Sequence, residues 1–150
     1  MSTGVSEVRG RTILVAEDDA IDALLLRSAF SKAGLEHTLK FVLDGQEAID
    51  YLQSKPPYTD PNEFPAPDLL LLDLKMPRVD GFDVLRWMQR SGLDQLPVLV
   101  LSGSDLDSDK QQALGLGARE YHVKSADLAL MIQFFKDLST HWLEPASPAA

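Results

Sequence analysis

The 150-residue sequence contains no cysteine. That excludes disulfides, thiolate metal sites and thiol redox switches, and it suits a reducing compartment. No stretch approaches the roughly 20 apolar residues of a membrane span, and the opening MSTGVSEVRG lacks the apolar segment of a signal peptide. Basic residues are scarce too: 14 lysines and arginines face 23 aspartates and glutamates, a net charge of −9. Nonspecific nucleic-acid affinity rests on a basic face, so this balance argues against DNA or RNA as a partner. No GxxxxGK phosphate loop occurs, which leaves nucleotide hydrolysis without support. The three histidines, His37, His122 and His141, share no metal-ligand spacing. With no membrane segment and no nucleic-acid footprint, the default location is cytoplasmic.

What is present is a 45% apolar chain, long enough for one domain with a substantial core. Apolar runs and helical periodicities alternate. Strands are predicted near 11–16, 37–42, 68–73, 97–102 and 119–123, and helices near 20–33, 44–54, 81–91, 105–115 and 126–143. Five such pairs predict an α/β chain with the flavodoxin-like (βα)5 doubly wound parallel sheet, strand order 2-1-3-4-5. In the first helix Ile21, Leu24, Leu25 and Phe30 recur at helical spacing, and Gly34 ends it. Residues 55–67, KPPYTDPNEFPAP, hold five of the nine prolines and read as a loop. The expected organisation is a disordered segment 1–10, a folded domain 11–143 and a disordered tail 144–150, EPASPAA, too small and polar for an output domain.

Asp73 directly follows Leu69–Leu72, and Glu17-Asp18-Asp19 follow the apolar run ending at Ala16. A strand covered on both faces loses its alternation and becomes continuously apolar. The carboxylates therefore stand at the carboxyl ends of two buried strands, the edge where open parallel sheets bind ligands. Gathered there, they resist ionising together unless a cation neutralises them. Mg2+ suits oxygen ligands, takes one or two carboxylates, and leaves positions for water and phosphate oxygens. Such a site serves phosphoryl transfer.

Glu17-Asp18, Asp73 within DLKMPRVDG, Ser102 ending PVLVL, and Lys124 ending Tyr121-His122-Val123 occur in an order that resembles the receiver domain of a two-component response regulator. Within that family the loop 55–67 resembles the extension carried by small single-domain regulators that partner bacterial phytochromes. The resemblance implies Asp73 as phosphoacceptor, Mg2+ on Asp18 and Asp73, Glu17 acting through water, and the Lys75 carbonyl as a further ligand. Asp19 reads as a helix N-cap instead. Ser102 and Lys124 would contact the phosphoryl group, with Ser102 and Tyr121 as the switch pair, and Ser104-Asp105 would cap the next helix. Lys75 and Ser104, two residues beyond Asp73 and Ser102, hold the positions that tune phosphoryl lifetime, and neither offers a group that orients water.

One residue departs from the pattern: Ser125 stands where receivers carry proline after the lysine. A cis bond before a non-proline residue costs about 2.5–4 kcal/mol, so the Lys124-Ser125 peptide is expected to be trans and Lys124 to contact Asp73 poorly at rest. The function implied is a phosphoacceptor signalling protein, not an enzyme beyond self-phosphorylation and self-dephosphorylation. A histidine kinase is its donor, and a downstream protein or histidine phosphotransfer protein its receiver. The last helix carries surplus apolar surface in Leu130, Phe134 and Trp142, which predicts a homodimer. Two rival readings are a phosphate-independent interaction module and a receiver fragment of a larger regulator.

Overall fold

The computed structural model describes residues 10–144. The elements run β1 (Thr12–Ala16), α1 (Ala20–Lys32), β2 (Thr38–Val42), α2 (Gly45–Leu52), β3 (Leu69–Leu72), α3 (Gly81–Arg90), β4 (Val98–Ser102), α4 (Asp107–Gly115), β5 (Glu120–Val123) and α5 (Leu128–Leu138), with one wider turn over Ser139–Leu143. All strand pairings are parallel and the order is β2-β1-β3-β4-β5, the flavodoxin-like arrangement that the alternation predicts. The disorder expected over 1–10 and 144–150 falls, apart from Gly10 and Glu144, outside the described residues.

Side-chain parity in the three central strands builds two cores. Leu14, Ala16, Leu70, Leu72, Val98 and Val100 face α2, α3 and α4, whereas Ile13, Val15, Leu69, Leu71, Leu99 and Leu101 face α1 and α5. All four leucines of β3 are at most 1% exposed, and each such burial contributes about 1.5–3 kcal/mol. This double burial is why β3 reads as an unbroken leucine run.

Helix starts are fixed by side-chain caps. Asp19 accepts from the amides of Ile21 and Asp22, Asp44 from Glu47, and Asp127 from Ala129 and Leu130. Asp80 and Asp83 close a reciprocal capping box. At α4 the predicted cap differs. The helix begins at Asp107, and Ser104 instead accepts from the Leu106 amide while donating to Asp109 at 2.6 Å.

Two apolar assignments are corrected. Ile21 and Leu24 are 78% and 64% exposed, because α1 packs through Leu26, Ala29 and Phe30, one stripe further round the helix. On the last helix Leu130 is exposed as expected, but Phe134 and Trp142 are half-buried. Phe134 packs edge-on against His122 and Phe135, and the Trp142 indole donates to Glu120. Loop 55–67 is irregular, as predicted, and is anchored. Tyr51, Tyr58 and Phe64 pack together, and the Tyr51 hydroxyl donates to the Pro65 carbonyl at 2.8 Å.

His37 ties the two ends of the domain together. Its Nδ1 accepts from the Arg11 amide at 2.9 Å, and its Nε2 lies 3.2 Å from the buried Ser139 hydroxyl. Burial lowers its pKa from 6.5, and Arg11 adds to this while Glu144, Asp68 and Glu36 oppose it. The unfolded chain therefore binds the proton more readily than the folded one, so the contribution of neutral His37 is complete above pH 6.5 and is lost as pH falls through the lower folded value. Melting temperature should drop across that window, and His37→Gln should flatten the slope. An unchanged slope in the variant would show that another group is responsible.

Candidate functional site

The backbone first brings the strand ends into register. The Asp73 amide donates to the Ala16 carbonyl at 3.1 Å and the Glu17 amide to Val42 at 3.0 Å, while the Lys124 amide donates to Ser102 at 2.8 Å. Gly81 allows α3 to start against the end of β3. A Cβ there would collide with the Asp73 carbonyl, and its amide donates to Leu74. Gly45 likewise lies against the Val79 carbonyl, and Asp44 accepts two hydrogen bonds from the Arg78 guanidinium. The loop that carries Lys75 is thereby tied to α2.

These contacts gather Glu17, Asp18, Asp73, Lys75, Ser102 and Lys124 around a cleft of about 490 Å3 at the carboxyl edge of the sheet. One carboxylate oxygen from each of Glu17, Asp18 and Asp73 lies within 4.8 Å of the others. Hard oxygen donors at that spacing suit a divalent cation. Asp73 and Glu17 are buried, at 6% and 2% exposure, while Asp18 faces solvent. Ser102 is fully buried, and its hydroxyl oxygen accepts from the Ser104 amide at 3.1 Å. The Tyr121 hydroxyl donates to the Ser104 carbonyl at 2.7 Å, in the same loop.

Lys124 overturns one expectation. The Lys124-Ser125 peptide is trans, as predicted, yet the ammonium lies 3.0 Å from Asp73 rather than poorly placed. The Ser102 carbonyl fixes the lysine backbone at the strand end, and the four-carbon side chain spans the remaining distance. The same ammonium reaches Glu17 at 2.7 Å and Asp22 at 2.8 Å. Burial alone would lower the lysine pKa, but hydrogen bonds to Asp22 and Glu17 and the charge of Asp73 outweigh it and raise it. Burial pushes the Glu17 carboxyl up to about 6, against the lowering hydrogen bonds from Lys124 and the Asp19 amide. Asp22 is the site residue that sequence reasoning missed. An acid in the first turn of a helix already has an explanation in the helix dipole, and nothing in its spacing announces that it reaches a lysine 102 residues away.

A chain with this fold and this ring of carboxylates, hydroxyl and lysine at the sheet edge has the architecture of a receiver domain. Residues 13–136 match the response regulator receiver domain, and the chain belongs to that family. It is 32% identical over 142 residues to the response regulator Rcp1 of Synechocystis sp., covering 93% of this chain and 95% of Rcp1. The Mn2+-bound structure of Rcp1 superposes with a TM-score of 0.77 at 30% identity, over 93% of this chain and 99% of that one. The phosphorylated cyanobacterial phytochrome response regulator RcpA gives 0.79 at 32% identity, over 91% and 99% of the two chains. RPA3017, a response regulator in red light signaling of R. palustris, gives 0.82 at 34%, over 90% and 99%.

The resting site depends on one lysine to balance buried acids. In chelator, Lys124→Met should lower the unfolding free energy by about 3 kcal/mol, the scale for leaving a buried charge unpaired. Saturating Mg2+ should narrow that deficit, because an ion bound only to the folded state supplies the missing positive charge. Urea denaturation with and without Mg2+ measures both, and an identical deficit in the two media would count against an ion at this position.

Proposed function

We propose that this protein accepts a phosphoryl group on Asp73 from the phosphohistidine of a histidine kinase, of phytochrome type, and passes the signal on from the cytoplasm. The output is docking to a downstream protein or delivery of the phosphoryl group to a histidine phosphotransfer protein. The observation that carries this reading is the convergence on Asp73, a buried carboxylate with Lys124 at 3.0 Å and with Glu17 and Asp18 inside a 4.8 Å cluster. Similarity to regulators described in phytochrome and red light signalling supports the kinase class. Ile21 and Leu24, exposed on α1, the helix whose Asp22 lines the cleft, offer the apolar contact that a helical partner needs.

Asp18 and Asp73 would hold Mg2+ directly, Glu17 through water, with the Lys75 carbonyl as a further oxygen ligand. When bound, the ion supplies positive charge to the phosphoryl oxygens. The Asp73 oxygen attacks phosphorus, the phosphorus–nitrogen bond of phosphohistidine breaks, and its electron pair stays on the imidazole. The product is a mixed anhydride on Asp73. Lys124 donates to one phosphoryl oxygen and Ser102 to another. Movement of Ser102 reaches Tyr121 through the loop carbonyl of Ser104, which the tyrosine hydroxyl already holds. Lys75 and Ser104 present no carboxylate or carboxamide to orient water, so self-hydrolysis should be slow to moderate. A phosphate-independent module has no use for the Lys124 contact with Asp73 and is the weaker reading.

Incubation with a small phosphodonor and Mg2+ should add one phosphoryl group, chelator should prevent it, and Asp73→Asn should abolish it. An undiminished mass increase in the variant would sink the Asp73 assignment.

A homodimer is the second reading. A groove of about 520 Å3 between β5 and α5 sits beside Leu130, which is 59% exposed. Glu120, Asp137, His122 and His141 line it, and a twofold-related copy would present the same self-complementary patch in return. Phosphorylation strengthens the pairing only if the Ser102 and Tyr121 shift favours that surface. Sedimentation velocity should show a concentration-dependent dimer that Leu130→Asp weakens, and a monomer at every concentration would exclude it.

A further inference from the structure

The Lys124 ammonium has three N–H donors and three carboxylate partners, Glu17, Asp22 and Asp73, at 2.7, 2.8 and 3.0 Å. Two of the three belong to the acidic cluster that suits a divalent cation, and Asp22 does not. It projects from the first turn of α1, whose start is pinned by the Asp19 cap, with the Asp22 amide itself donating to Asp19 at 2.9 Å. Asp22 is therefore mounted on a rigid element and is also partly solvated, its side chain 39% exposed against 2% for Glu17 and 7% for Asp73.

These positions give the three partners different fates when a cation enters. A bound ion would engage Asp73 directly and Glu17 through water, and the ammonium, then beside a divalent charge, would lose both as full partners. Asp22 lies outside the cluster and keeps its carboxylate for the lysine. With it, Lys124 stays at the rim of the cleft, within side-chain reach of whatever is attached to Asp73. Without it, the ammonium has no anionic partner except those the ion competes for. Entry of the ion then costs two ion pairs with nothing retained.

We propose that Asp22 is a positioning residue for phosphoryl transfer: it retains the Lys124 ammonium beside Asp73 when a divalent cation takes the other two carboxylates. The proposal rests on the phosphoacceptor reading of the site. It acts through Lys124, which separates it from a general contribution of negative charge. A carboxylate that merely adds to the field attracts the cation whether or not the lysine is present.

The test is a double-mutant cycle read by calorimetric titration of Mg2+. Asp22→Asn should weaken Mg2+ binding roughly fivefold, a coupling typical of contacting charged groups. In a Lys124→Met background the same change should be without effect, and Asp22→Glu should restore most of the affinity because the exposed site admits a longer acid. The phosphorylation rate with a small phosphodonor at saturating Mg2+ should fall in Asp22→Asn and recover in Asp22→Glu. Circular dichroism melts in chelator confirm folding of each variant, and the Asp22→Asn and Asp22→Glu pair carries the test if Lys124→Met is unfolded. An equal loss of affinity with and without Lys124 would reduce Asp22 to a field effect and overturn the proposal, as would unchanged or tighter binding in Asp22→Asn. Wild-type protein that binds no Mg2+ would overturn the phosphoacceptor reading itself, whereas normal wild-type binding and phosphorylation with an indifferent Asp22→Asn would remove only the role of Asp22.

Discussion

The structure turns on the charge balance at one edge of its sheet. The cleft gathers Glu17, Asp18, Asp19, Asp22, Asp73 and Asp105 against Lys75 and Lys124, and two carboxylates about 4 Å apart repel by about 4 kcal/mol at an effective dielectric of 20. Of the two lysines, Lys124 reaches the buried Glu17 and Asp73 and at the same time holds the partly exposed Asp22. That arrangement is stable at rest and also poised. On the proposed function, the positive charge that holds it together is the charge that a metal ion and a phosphoryl group would rearrange.

Holding acids so close requires a frame that does not yield, and the sheet supplies it. β1, β3 and β4 are buried on both faces, so the ends bearing Glu17, Asp73 and Ser102 are fixed by packing from two independent cores. Close packing leaves little room to relax. The loops at that edge can then vary in polarity without moving the strand termini, and chemistry-bearing residues tolerate a poor local environment because their positions are set elsewhere.

Most of this frame was legible because it is local. A run as short as Leu69–Leu72, between the prolines of 55–67 and the Pro77 segment, reads as a doubly covered strand, and the alternation with helical stripes leaves few topologies. The strand-end residues Glu17, Asp18, Asp73, Ser102 and Lys124 were legible for the same reason, since position on a strand fixes the edge they occupy. What failed depended on rotation about a helix axis or on contacts distant in sequence. Ile21 and Leu24 share the apolar character of Leu26 and Phe30, and only the packing of α1 against α5 decides which stripe is covered. Phe134 and Trp142 appeared surplus because their partners, His122 and Glu120, lie on another element. The placement of Lys124 was misjudged from backbone geometry alone, when side-chain length and three acids settle it.

The same distinction applies on the other side of the cleft. The loop from Asp73 to Gly81 presents Lys75 to the site. The structure adds a support from outside the motif. Arg78 sits in the left-handed backbone region, at φ 67°, and its guanidinium donates twice to Asp44, which is 6% exposed and caps α2. Left-handed backbone is unfavourable for a residue with a side chain, so it persists where surrounding contacts over-determine it, and here an ion pair and the Gly45 amide on the Val79 carbonyl do so. Asp22 on one flank and Asp44 on the other are both acids in or beside the first turn of a helix, each explained locally by that helix and each also engaged with a cation from a distant segment. The motif residues supply the chemistry, and the helix starts on either side hold the cations and loops that let those residues work.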